Sequence, residues 1–140
     1  MLILEDDAND VLLLKRALNR LNICNPLFVA HDGIEAIEYL QGKGRFQDRK
    51  TYPFPEVILL DLKMPRMDGL EFLSWLDEHR EFKVIPTVVL SSSDHEKDVL
   101  NAYQHCASSF FVKPSTVGGY EQLVRLIHDY WERSVKPSIR

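Results

Sequence analysis

Four short polar clusters carry residue types that can do chemistry together. Glu5-Asp6, Asp61, Ser91 and Lys113 each directly follow a short apolar run: Leu2-Ile3-Leu4, Val57-Ile58-Leu59-Leu60, Thr87-Val88-Val89-Leu90 and Phe110-Phe111-Val112. Carboxylates brought together repel one another and raise each other's pKa unless a cation sits among them. Mg²⁺ suits such a cluster, because it takes a few carboxylates and keeps its remaining positions for water and phosphate oxygens. A carboxylate beside Mg²⁺, with an ammonium opposite, is placed to receive a phosphoryl group. The metal and Lys113 would then stabilise charge on the transferring oxygens.

For these residues to meet, the apolar runs must lie side by side. With Leu27-Phe28-Val29-Ala30 they number five, and runs apolar on both faces suit parallel strands covered by helices on either side. Between them, Val11, Leu14, Ala17, Leu18 and Leu21 recur at helical spacing, as do Leu70, Leu73 and Leu76, and then Tyr120, Leu123, Val124 and Ile127. Asp32-Gly33-Ile34-Glu35, Asp68-Gly69-Leu70-Glu71 and Ser93-Asp94-His95-Glu96 read as capping boxes that start helices, and Lys136-Pro137 ends the last one. A strand and helix repeated five times predicts an α/β fold, a five-stranded doubly wound parallel sheet. In such a sheet the ligand site lies at the carboxyl ends of the strands, where the polar clusters fall.

Composition agrees with one folded unit. The 140 residues are 45% hydrophobic and 27% charged, enough for a core that needs neither disulfide nor zinc. Seventeen Lys and Arg against 21 Asp and Glu give a net charge of -4, which argues against a dedicated nucleic-acid binder. The longest aliphatic runs, Val11 to Leu14 and Val57 to Leu60, are too short to span a bilayer. Met1 to Leu4 run straight into Glu5-Asp6-Asp7 with no secretory pattern. Cys24 and Cys106 are isolated thiols, and the histidines are scattered without metal-ligand spacing. A reduced, cytoplasmic domain with no membrane segment is expected. Gly42-Lys43-Gly44-Arg45 lacks the spacing of a phosphate loop and reads as an exposed connection.

Glu5-Asp6, the segment Asp61-Leu62-Lys63-Met64-Pro65-Arg66-Met67-Asp68-Gly69, Ser91 and Lys113-Pro114 together resemble the response-regulator receiver domain of two-component signalling. The resemblance covers residues 1–134 and leaves 135–140 as a C-terminal tail. It implies a flavodoxin-like (βα)5 fold with strand order 2-1-3-4-5, and a signalling module, not a metabolic enzyme. Asp61 would be the phospho-acceptor, taking phosphate from a partner sensor histidine kinase. Asp6 and Asp61 would hold Mg²⁺ directly, Glu5 through a water, and Lys63 through its backbone carbonyl. Lys113 would pair with a phosphoryl oxygen, and Lys113-Pro114 would be a cis peptide. Ser91 would move to bond the phosphoryl group and Phe110 would swing inward behind it. That movement would carry the signal to the face built by the fourth helix, fifth strand and fifth helix. Lys63 and Ser93 occupy positions that tune phosphate lifetime in the family. Gly42 to Pro55, Ser91-Ser92-Ser93-Asp94 and Tyr130-Trp131 further resemble receivers paired with bacterial phytochromes, which often dimerise through that face. A downstream histidine phosphotransfer protein and a second copy of the chain are the other partners implied.

The sequence departs from the family's commoner residues at three places: Glu5 for Asp, Ser91 for Thr and Phe110 for Tyr. Charge and hydroxyl survive the first two changes, and the third makes any signal through Phe110 steric. Plainer readings stand beside these. Asp7 caps the first helix, Asp61 ends a strand at a turn, and Lys113 is a solvated loop lysine; Leu126 and Trp131 pack the core. Two other functions compete. A small aspartyl-phosphate hydrolase would want an acid two residues after the nucleophile, where Lys63 stands. A constitutive scaffold would have no need of Asp6, Asp61 and Lys113 together.

Overall fold

Strands that are apolar on both faces need cover on both, and the chain supplies it by alternating strand and helix. The structure is a computed structural model that describes residues 1–24 and 26–137. Its strands are β1 (Leu2–Leu4), β2 (Phe28–Ala30), β3 (Ile58–Leu60), β4 (Thr87–Ser91) and β5 (Ser109–Val112). All pairings are parallel and the order is β2-β1-β3-β4-β5, as expected for a doubly wound sheet. The helices are α1 (Ala8–Arg20), α2 (Gly33–Gln41), α3 (Gly69–Asp77), α4 (Arg80–Lys83), α5 (Glu96–Gln104) and α6 (Val117–Arg133).

Alternate side chains along each strand feed two separate cores. Leu2, Leu4, Ile58, Leu60 and Val89 pack with Ala36 and Leu40 of α2, Phe72, Leu73 and Leu76 of α3, and Ala102 of α5. Ile3, Leu59, Val88 and Leu90 point the other way, onto Leu14, Ala17 and Leu18 of α1 and Tyr120, Val124 and Ile127 of α6. Each fully buried aliphatic side chain contributes about 1.5–3 kcal/mol, so both layers are needed to hold the short strands in register.

The helix boundaries test the cap readings one by one. Asp7 caps α1 by accepting from the Asn9 and Asp10 amides. Asp68 and Glu71 form the full reciprocal box at α3. At α2 the box is half made: Asp32 accepts from the Glu35 amide, while the Glu35 carboxylate turns to the His31 amide and Arg45. The Ser93 box does not form. Helix α5 begins at Glu96 after His95, and the Ser93 hydroxyl accepts from the His95 amide and donates to Asp98. A hydroxyl two residues ahead of the cap satisfies itself locally and does not cap. Helix α6 closes at Arg133, shortly before Pro137, and residues 138–140 of the expected tail lie outside the described residues. The one-turn helix α4 is too short to present a hydrophobic period, so the sequence pattern passes over it.

The connection from Gly42 to Pro55 exposes Lys43, Gly44 and Arg45, as read from its sequence, but Phe46 and Arg49 anchor it. Phe46 buries against Phe28, Tyr39 and Tyr52, and the Arg49 guanidinium donates to the Tyr39, Leu40 and Tyr52 carbonyls. Among the described residues, no helix is long and apolar enough to cross a membrane.

Candidate functional site

Backbone pairing brings the polar clusters level. Glu5, Asp61 and Lys113 each stand one residue past a strand, and their amides continue the ladders: Glu5 to the Ala30 carbonyl, Asp61 to Leu4 and Lys113 to Ser91. Parallel neighbours therefore deliver these side chains to one end of the sheet. A tight turn follows Asp61 because Gly69 sits against it: a Cβ there would lie 2.4 Å from the Asp61 carbonyl oxygen. Only glycine permits that approach, which is why Asp68-Gly69 follows the acceptor candidate at this spacing.

Carboxylate oxygens of Glu5, Asp6 and Asp61 all lie within 4.8 Å of one another. Glu5 and Asp61 are buried and Asp6 is exposed, so the cluster opens to solvent on one side. The Lys113 ammonium lies 2.7 Å from Glu5 Oε1 and 3.3 Å from Asp61 Oδ2. Burial pushes the Glu5 carboxyl up to about 7, with the Asp61 charge adding to the rise and Lys113 opposing it. Burial works against the Lys113 charge, yet the bonds to Asp10 and Glu5 and the charge of Asp61 raise its pKa above the usual lysine value. Hard, partly buried oxygens with excess negative charge are a donor set that fits Mg²⁺.

The remaining expected residues are less converged. Ser91 is fully buried, and its hydroxyl accepts from the Ser93 amide at 3.2 Å. Phe110 is half-buried against the core shared by α2, α3 and α5. The Lys63 side chain is exposed, on the turn that follows Asp61. Among the described residues there is no cis peptide, so Lys113-Pro114, expected cis, is trans. Trans is favoured at such bonds by about 0.5–1 kcal/mol.

Sequence reasoning missed Asp10. Its Oδ2 lies 2.7 Å from the Lys113 ammonium, as close as Glu5, and its Oδ1 accepts from the Tyr120 hydroxyl at 3.4 Å. The Tyr120 pKa is pushed up to about 12, first by burial and then by the Asp10 charge. An acid in the first turn of a helix looks like ordinary dipole compensation, so nothing local marked Asp10. Asp32 and Arg66 were also missed as a pair. The Arg66 guanidinium bonds Asp32 Oδ2 at 2.6 and 2.7 Å and ties the turn after Asp61 to the start of α2. Arg66 itself has a positive φ of 61°.

Comparison with known proteins settles the family. Residues 1–125 match the model of the response regulator receiver domain. The chain belongs to the receiver family of response regulators. It is 31% identical to response regulator Rcp1 of Synechocystis over 135 residues, which span 96% of this chain and 90% of that protein. A crystal structure of Rcp1 in its Mn²⁺-bound form superposes with a TM-score of 0.85, over 98% of this chain and 97% of that one. The phosphorylated cyanobacterial phytochrome response regulator RcpA gives 0.89 at 30% identity, covering 98% and 96%. RPA3017, a response regulator in red light signaling of R. palustris, gives 0.91 at 30% identity with the same coverage. The receiver is thus related to phytochrome response regulators, and flavodoxin-like order 2-1-3-4-5 is its observed topology. A receiver is a signalling domain and a target of histidine kinases.

The predicted output face is apolar in part. Leu100 and Tyr103 of α5, Val112 of β5 and Leu126 and Tyr130 of α6 are exposed. Trp131, expected to pack inward, does so against the α1–α6 core, whereas Leu126 does not.

Proposed function

We propose that this chain accepts a phosphoryl group on Asp61 from a sensor histidine kinase and relays the event by protein contact. The observation that carries this reading is the Lys113 ammonium 3.3 Å from Asp61 Oδ2, beside a three-carboxylate cluster. An Asp61 oxygen attacks the phosphorus of a phosphohistidine, the P–O bond forms as the P–N bond breaks, and the imidazole leaves with the electron pair. Asp6 and Asp61, with Glu5 and the Lys63 carbonyl, would hold Mg²⁺, which would supply positive charge for the phosphoryl oxygens. Lys113 donates to one of those oxygens. The Ser91 hydroxyl gives up the Ser93 amide to donate to another, and Phe110 follows into the space behind it.

The receiver proper is residues 1–134, with 135–140 as a tail, acting in the cytoplasm. The switched face is α5, β5 and α6, the fourth helix, fifth strand and fifth helix of the family once the one-turn α4 is set aside. Its exposed Leu100, Tyr103, Leu126 and Tyr130 support contact with a second copy of this chain. A histidine phosphotransfer protein is the alternative recipient of the signal. Likeness to RcpA and RPA3017, named for phytochrome and red-light signalling, supports a bacterial phytochrome as the kinase.

Intact mass and size-exclusion elution after incubation with Mg²⁺ and acetyl phosphate test the reading. One added phosphoryl group, absent in Asp61→Asn and without Mg²⁺, is the expected result, with earlier elution if the face pairs. Continuous phosphate release without retained label would favour a hydrolase instead. Neither gain nor release would leave a scaffold.

A further inference from the structure

An ammonium has three N–H bonds to give. In this structure the two shortest Lys113 contacts are Glu5 Oε1 and Asp10 Oδ2, each at 2.7 Å, and Asp61 comes third at 3.3 Å. Asp10 lies outside the carboxylate group that fits a metal, so its oxygens are spent on Lys113 and Tyr120. Its position is fixed from two sides. The first turn of α1 favours a negative charge there, and fully buried Tyr120 of α6 holds its second oxygen.

We infer that Asp10 is a restraining residue, which competes with the phosphoryl group for the Lys113 ammonium and keeps the acceptor in a state of low phosphoryl uptake. The inference rests on the proposed phosphorylation of Asp61. An arriving phosphoryl group brings negative charge and strong acceptor oxygens to a place already crowded by carboxylates. It needs the Lys113 donor that Asp10 holds, and the Asp10 charge repels it through space. Both effects have one sign: removing the charge at residue 10 makes uptake easier. A merely structural Asp10 gives the opposite sign, because its loss would loosen Lys113 and slow the reaction.

The initial rate of phosphoryl gain, read by intact mass at subsaturating acetyl phosphate and saturating Mg²⁺, separates the two. Asp10→Asn removes the charge and keeps the shape; Asp10→Ala removes the bond as well. Both variants are expected to gain label faster than wild type by about three- to tenfold, the scale of one partly buried charge pair. The excess should shrink at high salt. The double variant with Asp61→Asn should gain none. Equal or slower uptake in both variants, with cooperative thermal melts retained, overturns the restraint. Absence of any label on wild type instead overturns the reading of Asp61, and the restraint with it.

Discussion

Lys113 and Arg49 are both drawn into the molecule, and their partners differ in kind. Lys113 sits among the carboxylates of Glu5, Asp10 and Asp61. Arg49 sits among the neutral carbonyls of Tyr39, Leu40 and Tyr52, with its guanidinium carbon 4.2 Å from the centre of the Phe54 ring. Carbonyls at the end of α2 and an aromatic face satisfy a cation without surplus charge, so Arg49 has nothing to trade. Around Lys113 the carboxylates outnumber the ammonium, and a metal or an incoming anion can redistribute the bonds. Partial burial of a cation thus makes a fastening in one place and a candidate reactive site in the other. The net charge of the surrounding acceptors decides which.

Substitutions at the two cations should have opposite consequences. Lys113→Ala is expected to lower the rate of Asp61 labelling by acetyl phosphate on the order of 10²-fold, as loss of a fixed charge-stabilising donor does elsewhere. Arg49→Met is expected to leave that rate within a factor of about two while destabilising the fold by about 2–4 kcal/mol, because three carbonyls lose their donor. Denaturant melts measure the second effect and intact mass the first. If labelling fell with Arg49 as it falls with Lys113, the division would fail.

The Asp32–Arg66 pair is intermediate, a carboxylate and a guanidinium with a helix cap. Burial opposes the Asp32 charge, but the Glu35 amide and Arg66 hold its carboxyl below the usual range. A depressed pKa in the folded state contributes stability that is present above the unfolded carboxylate value and is lost as pH falls through the folded one. Asp32→Ala should therefore cost about 1–2 kcal/mol near pH 7, with the difference from wild type closing in acid below about pH 4. Urea melts at several pH values check this, and a difference independent of pH would assign it to packing.

The sheet was legible because its signal is local and repeated. Five apolar runs, each ending in a polar residue, suffice to place Glu5, Asp61, Ser91 and Lys113 at one edge. What escaped depends on distance along the chain or on competition between nearby partners. Asp10 meets Lys113 across 103 positions, and Arg66 meets Asp32 across 34, with no periodicity to announce either. Ser93 had a cap's spacing but found the His95 amide first. Arg49 stood in a segment that composition marks as a loop, and only the carbonyls at the end of α2 give it a task.

We propose that Asp61, among several neighbouring carboxylates, is the one that takes phosphate. Borohydride reduces an acyl phosphate to the alcohol, so treating the Mg²⁺ and acetyl phosphate reaction with it converts the labelled aspartate to homoserine. Peptide sequencing by mass spectrometry then locates that residue. Homoserine at position 61, with Glu5, Asp6 and Asp10 unmodified, is the predicted result. Reduction at position 6 or 10, or none at all in a sample whose intact mass shows the phosphoryl group, would contradict it.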